Sequence, residues 1–121
     1  FTNSNVVTVA ALDANDELAG FSNWGFKSCK LGAPGVKVYS TVPGNRYQDT
    51  IADLGQMKVT WDGTSMAAPH VAGALAVIWS NDVNAKMETV KAKLLDLTKD
   101  VSSLAGKVST EGRLDLSGVT Q

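Results

Sequence analysis

Asp62-Gly63-Thr64-Ser65-Met66-Ala67-Ala68-Pro69-His70-Val71-Ala72-Gly73 is the stretch of the chain that decides its fold. Read onward, it predicts a helix from Thr64 to about Ser80. Wound at about 100° per residue, Met66, Ala67, Ala68, Val71, Ala72, Ala74, Leu75, Val77, Ile78 and Trp79 point in every direction, and a helix apolar on all sides belongs in a core. Its alanines and Gly73 let neighbouring backbones come close. Ser65 falls at the amino-terminal end, where unpaired N–H groups face outward and the helix dipole favours negative charge. Pro69, four residues on, has no N–H to give the Ser65 carbonyl, so the first turn is expected to be irregular.

Outward from the helix, Asn5-Val6-Val7-Thr8-Val9-Ala10-Ala11 is a short apolar run rich in β-branched residues, suited to a strand covered on both faces. A second strand is predicted at Val36-Lys37-Val38-Tyr39-Ser40, between Pro34-Gly35 and Pro43-Gly44. Asp13 to Gly32 reads as loop, with one more short strand around Cys29 to Leu31. Arg46-Tyr47-Gln48 and Met57-Lys58-Val59-Thr60-Trp61 can pair as a hairpin around Asp53-Leu54-Gly55. Beyond the helix, Val83, Met87, Val90, Leu94 and Leu97 recur at helical spacing opposite Lys86, Glu88, Lys91 and Lys93. That pattern predicts an amphipathic helix lying over the core, with Asn84 as its cap. Strands followed by helices indicate an α/β layer structure. Two strands and a helical tail make a poor domain, and a central buried helix asks for covering layers from elsewhere.

Composition narrows the function classes. Of 121 residues, eleven are basic and twelve acidic, for a net charge of −1. Neither sign forms a long block, which argues against a nucleic-acid or anionic-membrane surface. No apolar run reaches the roughly 20 residues of a transmembrane helix, and no leader pattern stands at Phe1. Cys29 is the single cysteine, so no disulfide can close within these residues. It is expected to be a small buried apolar side chain.

The string Asp62 to Gly73 closely resembles the nucleophile segment of the subtilisin-like serine peptidases. It is not the Gly-x-Ser-x-Gly elbow of α/β-hydrolases, since Ala67 stands second after the serine. Further stretches agree in order. Val6 to Ala11 with Phe21-Ser22-Asn23-Trp24-Gly25 is similar to the family's strand and its Phe-Ser-Asn-aromatic-Gly turn. Leu31-Gly32-Ala33-Pro34-Gly35 and Tyr39-Ser40-Thr41-Val42-Pro43-Gly44 resemble the family's next strand boundaries, and Gly112-Arg113-Leu114-Asp115-Leu116 its closing segment.

The resemblance implies part of a three-layer, parallel-sheet α/β fold with a buried central helix. It implies a serine endopeptidase in which Ser65 is the nucleophile, the Ser65 N–H an oxyanion donor and Thr64 an assisting neighbour. Peptide-bond hydrolysis of this kind also needs a histidine base, an aspartate and an oxyanion asparagine. The family's His-Gly-Thr-His, Asp-Ser/Thr-Gly and asparagine motifs do not occur here. In family order all three precede Asn5. Residues 1–121 are therefore expected to be the carboxyl-terminal portion of a peptidase domain, incomplete and inactive alone. The implied partners are the complementary amino-terminal portion and a protein or peptide substrate. The resemblance further implies export from the cell and no cofactor for catalysis. It allows a structural calcium, for which no loop can be matched.

Other chemistry-bearing groups are weaker candidates. His70 is the only histidine and lies five residues after Ser65, turned about 140° away on a helix, and the resemblance makes it structural. A Ser65–Lys58 dyad has no support from spacing. Asp62 and Asp49 read as solvated loop carboxylates. Gln48 to Val59 looks like an insertion relative to the family pattern, which reads as an inert surface hairpin or as a hairpin shaping substrate access. The alternative to an enzyme is a non-catalytic module that keeps the family scaffold. The enzyme reading requires an accessible Ser65 hydroxyl.

Overall fold

The computed structural model describes residues 3–41 and 60–119. Its elements run β1 (Val9–Leu12), β2 (Leu31–Pro34), α1 (Thr64–Ser80), α2 (Met87–Asp96), β3 (Thr98–Asp100), a 3-10 turn (Ser102–Leu104) and β4 (Gly112–Leu114). The sheet order is β1-β2-β4-β3. β1 and β2 pair in parallel from Val9 opposite Leu31 to Leu12 opposite Pro34, and β2 pairs in parallel with β4 at Gly32 and Arg113. β3 closes the edge antiparallel to β4. The α/β class with a parallel-dominated sheet is as expected.

Period-two alternation divides the strands between two cores. Ala11, Leu31 and Ala33 face α1 and α2, joining Ala67, Val71, Ala74, Ile78, Val90 and Leu94. Ala10 and Leu12 face the other way, joining Cys29, Leu104 and Val108. Layers of helices, sheet and carboxyl-terminal loop result. Gly32 marks the tightest point of the second core, where an added Cβ would stand 2.8 Å from Leu104 Cδ1 and 2.9 Å from Leu12 Cδ1.

Several expectations need correction. β1 begins at Val9 rather than Asn5. Val36 to Ser40 is not a strand: Val38 makes one isolated antiparallel bridge to Trp61, while the second strand is Leu31–Pro34. A left-handed Lys37, at φ 53°, interrupts the extended backbone there. α2 begins at Met87, and its N-cap is Lys86 in extended conformation rather than Asn84. The proposed hairpin lies outside the described residues except for Thr60 and Trp61.

α1 carries the largest correction. Its bounds, Thr64–Ser80, are those the sequence predicts, but its burial is not. Ala67, Val71, Ala74 and Ile78 form one buried stripe, whereas Ala68, Ala72, Gly73, Ala76 and Val77 are exposed. A Cβ added to Gly73 would meet nothing within 4 Å. The described residues cover one face of an all-round apolar helix and leave the other bare.

Candidate active site

Ser65 is the second residue of α1 and is exposed. The hydroxyl is therefore not lost inside packed side chains, as the enzyme reading requires. No side chain caps the helix, whose N-cap is Gly63 at φ 153° and ψ 156°. That φ favours glycine, so the residue two before Ser65 is a glycine for conformational reasons. The first turn is tight: the Met66 N–H donates to the Gly63 carbonyl at 3.0 Å. The Ser65 N–H belongs to the first turn, where no acceptor exists four residues back within the helix. A hydroxyl and a first-turn N–H on one exposed residue are the two groups that acyl transfer asks of a nucleophilic serine, an attacking oxygen and a donor for the oxyanion. Thr64 precedes it, half-buried.

The loop leading into Ser65 is held by the segment after β2. Gly63 N–H donates to the Gly35 carbonyl at 2.8 Å, and Val38 and Trp61 exchange backbone bonds of 2.9 and 3.0 Å. Asp62 is exposed, as expected, yet it is more than a solvated carboxylate, because its Oδ1 accepts the Lys37 backbone N–H at 2.6 Å. Gly35 has no room for a side chain: a Cβ would lie 2.6 Å from Ala11 Cβ and 2.8 Å from the Gly63 oxygen. Sequence reading missed Asp62 and Gly35 as supports, because their partners lie 23 or more residues away along the chain.

His70 stays on its own helix. Its Nδ1–H donates to the Met66 carbonyl at 2.8 Å and the ring is exposed. That bond aims the imidazole back along α1. Lys58, Asp49 and the Gln48 to Val59 insertion lie outside the described residues. Cys29 is buried and free, as expected, with Sγ–H donating to the Thr8 carbonyl at 3.6 Å. Burial pushes its thiol pKa above the ordinary value.

The turn from Phe21 to Gly25 is built around buried Ser22, whose Oγ accepts the Ala11 N–H at 2.9 Å and donates to the Asn23 carbonyl at 3.0 Å. Phe21, Trp24 and Phe26 are exposed around it. A cavity of about 330 Å³ opens between Trp24, Glu17, Ser103 and Lys107, and Ser65 does not line it. Among the described residues no group of three or more His, Cys, Asp or Glu side chains could hold a metal ion, so no residues are assigned to a structural calcium. No helix among them is long and apolar enough to cross a membrane.

The chain is 39% identical over 111 residues to the "Thermophilic serine proteinase" of Bacillus sp. (strain AK1), covering 92% of this chain and 24% of that protein. It is 40% identical over 90 residues to "Subtilisin DY" of Bacillus licheniformis, covering 74% of this chain and 28% of the relative. Against "Subtilisin-like protease 2" of Plasmodium falciparum it is 38% identical over 97 residues, 80% of this chain but 6% of the relative. The chain thus spans under a third of the length of each. A chain solved under the heading "Structural basis of subtilase cytotoxin SubAB assembly" superposes with a TM-score of 0.65 at 23% identity, over 91% of this chain and 34% of that one, a likeness of fold. With the Subtilase family model matching residues 2–112, the chain belongs to the Subtilase family.

Proposed function

We propose that this chain is the carboxyl-terminal portion of a subtilisin-like serine endopeptidase, with Ser65 as nucleophile. The observation that carries the reading is an exposed hydroxyl on the first turn of an uncapped helix. In the reaction, Ser65 Oγ adds to the scissile carbonyl while a base takes its proton. The carbonyl oxygen becomes an oxyanion facing the Ser65 N–H, and its collapse expels the amine and leaves an acyl-enzyme that water then hydrolyses. Thr64 stands beside the oxyanion and substrate backbone. An unassisted serine hydroxyl is a weak nucleophile, so these residues alone do not turn over peptides.

The base, its aspartate and an asparagine donor come from a complementary amino-terminal portion. The bare face of α1 supports that partner. At about 100° per residue, Ala68, Ala72 and Ala76 fall within roughly 60° of Ser65 around the helix. A layer seated on that stripe also reaches the hydroxyl. The proposal takes protein or peptide as the substrate and includes export from the cytoplasm, which the likeness to secreted subtilisins supports.

The alternative is a non-catalytic module on the same scaffold. One observation favours it: the chain's single histidine is tied to its own helix rather than turned to Ser65. Ser65→Ala in the full-length protein separates the two. The enzyme reading predicts peptide hydrolysis falling to background with the fold intact. Unchanged hydrolysis, or none in the parent, contradicts it.

A further inference from the structure

The segment from Trp61 to Gly63 is fastened to the segment from Gly35 to Val38 by four hydrogen bonds. Three are backbone to backbone, and any residues with the right backbone could make them. The fourth is different in kind. It joins the Lys37 N–H to an Asp62 side-chain oxygen at 2.6 Å, so it needs a side chain with an acceptor at that place. Lys37 adopts φ 53°, a left-handed conformation uncommon for a residue with a side chain. Asp62 is the group that receives its N–H.

Position along the chain gives this bond its consequence. Asp62 is followed by Gly63, whose N–H is already held by the Gly35 carbonyl, and then by α1 itself. The carboxylate bond thus lies between two backbone contacts on the segment that leads into the helix. The N-cap, Gly63, makes no side-chain bond of its own.

We infer that Asp62 is a positioning residue for the Ser65 hydroxyl, acting through the Lys37 N–H rather than through its charge. This rests on the reading of Ser65 as nucleophile. The function needed of Asp62 is an oxygen acceptor at Oδ1, which asparagine also offers and alanine does not. A small displacement of an attacking atom lowers the chemical step far more than it lowers substrate affinity.

The test uses the full-length peptidase, with kcat and KM expressed per active site titrated by a fluorophosphonate. Asp62→Ala is expected to lower kcat about tenfold or more with KM within about twofold. Asp62→Asn is expected to restore kcat to within about threefold of the parent. A purely structural role would reduce the number of titratable sites and leave kcat per site unchanged. Parent-like kcat per site in Asp62→Ala, or an equal loss in Asp62→Asn, overturns the inference. Should Asp62→Ala yield too little folded enzyme, Asp62→Glu keeps the charge but moves the acceptor by one methylene. It is expected to lower kcat per site about threefold or more, and parent-like kcat there also overturns it. Turnover surviving Ser65→Ala would instead defeat the nucleophile reading, whatever Asp62 does.

Discussion

α1 and α2 pack against one another and against the same core, yet they meet water on different terms. α2 is amphipathic. Val90 and Leu94 are buried, Glu88 and Lys93 face out, and Lys91 Nζ donates to the Ser4 and Val6 carbonyls at 2.8 and 3.1 Å. Its pattern and its burial agree. α1 is apolar all round, and Ala67, Val71, Ala74 and Ile78 are buried with Leu75 packed beside them, while Ala68, Ala72, Ala76 and Val77 are exposed. A helix displays its partners in its composition: α2 asks for one face to be buried and receives it, while α1 asks for two and receives one. The face left over is the one that carries Ser65.

Substitutions sharpen the contrast. Leu94→Ala removes a fully buried side chain from the α2 stripe and is expected to cost about 2–5 kcal/mol in denaturant unfolding of the 121-residue chain. A cost under about 1 kcal/mol would mean that α2 is not seated as described. Next is Gly35→Ala, which forces a Cβ to 2.6 Å from Ala11 Cβ and 2.8 Å from the Gly63 oxygen. A loss of about 1–3 kcal/mol is expected, and on the proposed function hydrolysis by the full-length protein should fall too, because the Gly63 loop is displaced.

Ala72→Leu is the substitution designed to break the comparison. On the bare face of α1 it should change stability of this chain by no more than about 0.5 kcal/mol. In the full-length protein the same change should destabilise, by about 1–3 kcal/mol of overpacking, if a second layer covers that face. Equal and negligible effects in both would leave α1 without a partner.

The smallest effect concerns Cys29. Burial raises its pKa above 9.0 in the folded chain, so the unfolded thiol ionises first. Stability attributable to the protonated thiol is complete below that value and is lost as pH rises through the folded pKa. The stability difference between the parent and Cys29→Ala should therefore shift against the parent in alkaline solution. A difference independent of pH would show a solvated sulfur.

Much of this was legible in the sequence, and the reasons are specific. The Thr64–Ser80 bounds follow from a mostly apolar run bracketed by Gly63 and Asn81. Ser65 stood out through its motif. β3 was missed because Thr98, Lys99 and Asp100 are polar edge residues with no apolar alternation. Leu31–Pro34 was half-missed because its Gly and Pro read as a boundary. Exposure of half of α1 was hidden for a different reason: periodicity reports what a helix needs, not which layers are present. The Asp62 bond to Lys37 spans 25 positions and leaves no local signature.

The account stands most directly on the reactivity of one oxygen. Treating the full-length protein with a fluorophosphonate and mapping the adduct by peptide mass measures it. The account predicts a single adduct on Ser65, absent from Ser65→Ala and absent from the isolated 121 residues. An adduct on another residue, or a full-length protein that digests peptides without labelling at Ser65, would contradict it.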